Sequence, residues 1–101
     1  MEELINDVQV LSIEELRRAN LKFPVFNSNH EGYAIIKEEI EEAEQELNDI
    51  NAQLQRSWYF IKRNEDANKD ILRLRNYAIN LAAEAIQVAA MAQKYLDGDN
   101  N

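Results

Sequence analysis

Apolar side chains recur every three or four residues through most of this chain, which is the period of an amphipathic helix. The longest such series is Tyr33, Ile36, Ile40, Ala43, Leu47, Ile50, Leu54, Trp58 and Ile61, and it predicts one helix from the capping box Ser28-Asn-His-Glu31 to about Lys62. Asn64-Glu-Asp-Ala-Asn68 reads as a turn. A last helix then starts near Glu65 or Lys69, runs to Tyr95, and stops at Asp97-Gly98, where glycine suits a left-handed cap. Ahead of the long pair, residues 2–9 predict a helical turn or two. Ser12-Ile-Glu-Glu15 is a second capping box and opens a short helix to Asn20. Phe23-Pro24-Val25-Phe26 must interrupt helix, because proline lacks a donor and restricts its predecessor.

The expected fold is therefore all-α. Two long antiparallel helices form a hairpin, short N-terminal helices precede it, and the unit associates into a larger bundle. Length agrees: 101 residues make a single domain, 1–101, with residues 98–101 as a frayed tail. Two glycines and one proline supply too few turns for a many-stranded architecture.

A net charge of −8 argues against a nucleic-acid polymer as partner. It leaves phosphorylated small molecules open, since a bound cation inverts the local field. Cysteine is absent, so neither disulfides nor thiolate metal sites arise. No apolar run reaches the ~20 residues that span a bilayer. A cytoplasmic protein without membrane contact is the expectation.

Chemistry concentrates in two places. Residues 31–49 hold eight acids against Lys37, including Glu38-Glu39-Ile40-Glu41-Glu42. Glu84 lies within the apolar run Leu81–Ala92. An ion there must neutralise or find a cation, because burying it unpaired costs on the order of several kcal/mol. With a helix turning about 100° per residue, Glu39 and Glu42 project nearly side by side, about 60° and 120° from a stripe through Ile36, Ala43 and Leu47. Glu84 and Gln87 form the matching pair on the last helix. Facing each other, the pairs would make an oxygen cage of the kind Mg²⁺ prefers. Two plainer readings compete: a solvated acidic face, and a salt bridge from Glu84 to Arg17, Arg18, Arg73 or Arg75. His30 reads as a surface or capping residue, and Trp58 and Tyr59 as core or interface residues.

Glu39-x-x-Glu42 followed by Glu84-x-x-Gln87 resembles the metal motif of the MazG-like, all-α nucleoside triphosphate pyrophosphatases. Lys22-Phe-Pro24, Ser28-x-His30-Glu-Gly-Tyr33-Ala and Glu84-Ala-Ile-Gln-Val-Ala-Ala-Met-Ala92 are similar to small phage- or prophage-encoded members, over about residues 14–96. The resemblance implies hydrolysis of a (d)NTP to (d)NMP and pyrophosphate with Mg²⁺ or Mn²⁺, in a homodimer or homotetramer. It implies Glu39, Glu42, Glu84 and Gln87 as metal ligands, with Glu38 orienting the attacking water. Lys22, Lys62, Arg63 and Lys94 are candidates for the phosphate tail. Gln87 departs from the family's aspartate, and the segment between the half-motifs is long. A catalytically weak nucleotide binder and a purely structural helical module are the alternatives.

Overall fold

The computed structural model describes residues 1–99. Three helices make up the chain: α1 (Glu2–Asn20), α2 (Asn29–Ile61) and α3 (Asn68–Asp99). Among the described residues, no helix is long and apolar enough to cross a membrane.

The two expected N-terminal segments are a single helix. Ser12 lies in its middle, and its hydroxyl donates to the Gln9 carbonyl at 2.8 Å instead of capping an amide. That back-bond is the usual use of serine inside a helix. With no glycine or proline between residues 2 and 20, the backbone has no cause to break there. The Ser28–Glu31 capping box does form. The Ser28 hydroxyl accepts from the Glu31 amide at 3.1 Å, while the Glu31 carboxylate takes the Asn27 amide and side chain.

At its far end α2 is closed by Asn64, whose φ of 56° is the left-handed conformation asparagine tolerates, and by the Glu65 amide donating back to the Phe60 carbonyl at 2.9 Å. Asp66 then accepts from the Asn68 amide at 2.8 Å and opens α3. Gly98 does not end that helix. Its φ is negative and α3 continues through it to Asp99; the rest of the expected tail, 100–101, lies outside the described residues.

α3 packs along α2, and α1 packs on α3 but makes no substantial contact with α2. The α2–α3 seam follows the four-three alternation of a coiled coil. Its buried and half-buried positions are Ala67, just ahead of α3, and on α3 Asp70, Leu74, Tyr77, Leu81, Glu84, Val88, Met91 and Tyr95. On α2 they include Gly32, Ile36, Glu39, Ala43, Glu46, Ile50, Gln53, Ser57 and Phe60. This face is rotated by roughly 80° from the apolar stripe, less than one residue step of a helix. Tyr33, Ile40, Leu47, Leu54, Trp58 and Ile61 consequently lie exposed. Small residues explain the choice, since Gly32, Ala43 and Ser57 let α3 approach where Leu47 or Trp58 would hold it off.

Two clusters tie down the ends of the seam. Near the 62–67 connection Asp70, 3% exposed, takes the Arg56 guanidinium at 3.1 Å and that of Arg73 at 3.4 Å. At the opposite end the buried Lys94 ammonium donates to the Phe23 carbonyl and lies 4.8 Å from the Phe26 ring centre, fastening the 21–28 connection to α3. Phe26 and Tyr95 close over Gly32, where an added Cβ would lie 2.8 Å from Tyr95 and 2.9 Å from Phe26. Gly32→Ala gains about 1 kcal/mol of helix propensity but, with two ring carbons within 3 Å of the added Cβ, loses about 2–3 kcal/mol to overpacking. The expected net is a melting midpoint lowered by about 4 °C or more. An unchanged or raised midpoint in thermal denaturation would show that these rings are not seated on the helix.

The single chain buries little. Its radius of gyration is 17.4 Å, against about 13 Å for a compact chain of this length. Among the described residues the buried hydrophobic side chains are Ala67, Ala90 and Met91.

Candidate metal centre

Glu39 and Glu42 stand one turn apart on α2, and Glu84 stands across the seam on α3. Because the α2 face is rotated relative to the apolar stripe, Glu39 points into the seam and Glu42 lies on its rim. One carboxylate oxygen from each of Glu39, Glu42 and Glu84 falls within 4.8 Å of the other two. Glu39 and Glu84 are half-buried and Glu42 is exposed, so the group opens to solvent on one side.

Among the described residues no protein cation balances it. Each arginine that might have paired with Glu84 is engaged elsewhere: Arg17 with Glu14, Arg18 with Glu15, Arg73 with Asp70, and Arg75 with the Asn76 side chain. Glu84 Oε2 is buried without a hydrogen-bond partner, and so is Glu46 Oε2, one seam position beyond Glu39 and Glu42.

Crowded carboxylates without a counter-ion hold protons more tightly. Burial first, then the Glu42 charge, raises Glu39 above the ordinary carboxylate range. Glu42 is raised chiefly by its hydrogen bond to Glu84, with the Glu84 charge adding to it. Desolvation is the main cause for Glu84, and the charges of Glu39 and Glu46 push it further in the same direction. The three groups therefore titrate as a set sharing protons.

The donor set suits a hard divalent cation. It is all oxygen, three-fold in charge, and includes the unpartnered Glu84 Oε2. Oxygens on opposite sides of an ion are about 4.2 Å apart for Mg²⁺ and about 4.8 Å apart for Ca²⁺, given bond lengths of ~2.1 and ~2.4 Å. The observed span closes on either with small side-chain rotations.

The other residues singled out in the sequence lie as follows. Glu38 is exposed beside the cluster, and its charge helps raise both Glu39 and Glu42. Gln87 turns to α1, where its amide nitrogen donates to Glu15 Oε1 at 2.6 Å. That amide sits on the α1-facing side of α3, so the expected fourth ligand is committed to joining helices. Lys22 is exposed in the 21–28 connection. Lys94 is spent on the Phe23 carbonyl. Lys62 and Arg63 lie some 20 residues beyond Glu42 along α2, about 30 Å at 1.5 Å per residue, and Arg63 stacks 3.7 Å from the Tyr59 ring centre. The single chain thus gathers three carboxylates and none of the four proposed phosphate-binding cations.

Two participants went unnoticed in the sequence, Glu46 and Glu15. The seven-residue step Glu39, Glu46, Gln53 marks Glu46 as a seam position, a signal masked because these residues are polar. Glu15 reads from the sequence as part of a capping box, whereas in the structure it accepts from Gln87 on α3.

Fold and site together define an all-α chain with a carboxylate cluster between two helices. No protein-family model, curated protein or solved structure matches it.

Proposed function

We propose that the chain is a metal-dependent nucleotide pyrophosphohydrolase, of the kind the MazG-like motif implies, that hydrolyses a (d)NTP to (d)NMP and pyrophosphate in the cytoplasm. The observation that carries the reading is the convergence of Glu39, Glu42 and Glu84 from separate helices with no protein cation among them. Glu39, Glu42 and Glu84 would hold Mg²⁺ or Mn²⁺. A bound divalent cation neutralises phosphate charge and makes water a stronger nucleophile. Glu38, exposed next to the cluster, orients the attacking water and accepts its proton. Water adds at the α-phosphorus as the bond to the bridging oxygen breaks, and pyrophosphate leaves.

The phosphate tail needs cations that the single chain does not place near the carboxylates. The reading therefore includes self-association of antiparallel hairpins, as dimer or tetramer, so that basic residues of one copy serve the site of another. The three-helix unit's thin core supports this part of the reading.

A second reading is a nucleotide-binding protein with weak turnover, favoured by one observation. Gln87 takes the place of the family's aspartate and is bonded to Glu15. Incubation of the full chain with each (d)NTP and Mg²⁺ or Mn²⁺ separates the two. Pyrophosphate release supports the enzyme. Thermal stabilisation that requires nucleotide and metal together, without product, supports the binder. If neither appears, both nucleotide readings fail and a structural helical module is left.

A further inference from the structure

On α2, Tyr33, Ile40, Leu47, Leu54, Trp58 and Ile61 form a continuous apolar stripe between 41% and 66% exposed. From residue 33 to residue 61 it extends about 42 Å at 1.5 Å per residue. Tyr33, Ile40, Leu47, Leu54 and Ile61 recur at seven-residue intervals, the repeat of a coiled-coil seam. The helix thus carries two seams, one filled by α3 and one bare. Among the described residues no other helix reaches the second, since α1 packs on α3. An apolar strip of this length marks an interface.

We infer that this stripe pairs with the same stripe of a second copy, antiparallel and about a two-fold axis at Leu47. Three observations fix the occupant and its direction. The repeat is symmetric about Leu47, so reversal sets Ile40 against Leu54 and Tyr33 against Ile61, apolar on apolar throughout. Such self-complementarity is what a closed two-fold contact requires.

Charge selects the orientation. Residues 31–49 carry eight acids and Lys37, whereas residues 50–63 carry no acid and three bases, Arg56, Lys62 and Arg63. Antiparallel pairing lays the acidic half of one helix along the basic half of the other. Parallel pairing stacks acid on acid, and Glu41 and Glu44 at the edge of the stripe would each face its own copy. The same acids disfavour an anionic lipid surface as occupant.

Size agrees as well. Six half-exposed large side chains along about 42 Å, with their polar flanks, approach the roughly 800 Å² per partner of a standard interface. The inference makes specific the self-association in the functional reading but uses none of its phosphate chemistry. Like-with-like disulfides overturn this pairing alone and leave the carboxylate cluster and its hydrolysis assay to be read separately. A monomeric chain also removes the shared phosphate site of the functional reading, and inactivity by itself leaves the pairing untouched.

The chain has no cysteine, so introduced thiols report only on their own positions. Ile40→Cys and Leu54→Cys proteins are mixed at full length and oxidised, with Gln45→Cys, on another face of α2, as control. Antiparallel pairing brings positions 40 and 54 of different copies within disulfide reach, and the expected product is the mixed 40–54 disulfide, several-fold above 40–40, 54–54 and the control. Light scattering on the unmodified chain is expected to give at least twice the 11.8 kDa chain mass. Leu47→Glu, which sets two carboxylates together on the axis, is expected to return the mass toward one chain while circular dichroism stays helical. Predominance of like-with-like disulfides, cross-linking no better than the control, or a monomer in the unmodified protein overturns the inference.

Discussion

Glu84→Gln and Glu42→Gln are each expected to lower Mg²⁺-dependent pyrophosphate release by about 100-fold or more. Removing even an outer partner of a metal ligand costs roughly 10- to 100-fold, and these are proposed as direct ligands. Glutamine keeps the shape and one acceptor oxygen but removes the charge that draws a hard cation. The substitution is conservative for folding, because neither carboxylate is tied to a protein cation among the described residues. Circular dichroism should be unchanged, and loss of activity would then report on the cluster itself. Gln87→Asp is informative in the opposite direction. It breaks the 2.6 Å bond to Glu15 and sets two carboxylates together there, so it should loosen α1 and not raise activity in proportion to the added charge. Wild-type turnover in Glu84→Gln would remove the cluster from the chemistry.

The second large effect is on stability, and its sign follows from the crowding of the carboxylates. Glu39, Glu42 and Glu84 all have their folded-state pKa raised above the ordinary value. A raised pKa means that the folded state binds protons more tightly than the unfolded state does. Its contribution to stability is complete below the unfolded carboxylate pKa and is lost as pH rises through the raised values. In EDTA, the melting midpoint should therefore rise as pH falls from 8 toward the raised pKa values. In metal-free buffer at pH 8, Glu84→Gln should be at least as stable as the wild type, because it removes one of the repelling charges.

A divalent cation should act in the opposite direction with pH, since it competes with the shared protons. At pH 8, Mg²⁺ or Mn²⁺ at about 100 times its dissociation constant adds about 2.7 kcal/mol. That corresponds to a rise of roughly 10 °C or more for a domain of this size. The gain should shrink at acid pH and vanish in Glu84→Gln. A metal-free midpoint that falls steadily from pH 8 to pH 6, or an equal metal effect in the variant, would contradict this electrostatic picture.

Much of the architecture was legible in the residues, because α2 and α3 each carry a sustained three-four pattern and α2 has a breaker at each end. The α2 N-terminus was readable from Ser28 and Glu31, and the connection from Asn64 and Asp66. Ser12 misled because the capping-box pattern is short and nothing else at that point stops a helix. Gly98 misled for a related reason, since glycine permits a left-handed cap without forcing one.

The rotation of α2 was the harder problem. Hydrophobicity marks the side a helix prefers to bury, and α2 has apolar residues for two partners while one chain supplies only one. The face α3 takes is the one bearing Gly32, Ala43 and Ser57 together with Glu39, Glu46 and Gln53, chosen by closeness of approach rather than by apolar content. Glu39, Glu42 and Glu84 were identifiable from their spacing and from the anomaly of a carboxylate in an apolar run. The commitment of Gln87 to Glu15 and of Lys94 to Phe23 was not, because both depend on where α1 and the 21–28 connection cross α3. Sequence spacing within one helix carries no information about that.

Whether Glu39, Glu42 and Glu84 jointly hold a divalent cation can be read from anomalous scattering of crystals of the full chain grown with Mn²⁺. The expected map has a peak between α2 and α3 with an oxygen from each of the three carboxylates about 2.0–2.6 Å away. Its absence in Glu84→Gln crystals would tie the peak to the site. A wild-type map with no peak there, or with the three side chains turned to separate partners, would show that the cluster holds no cation.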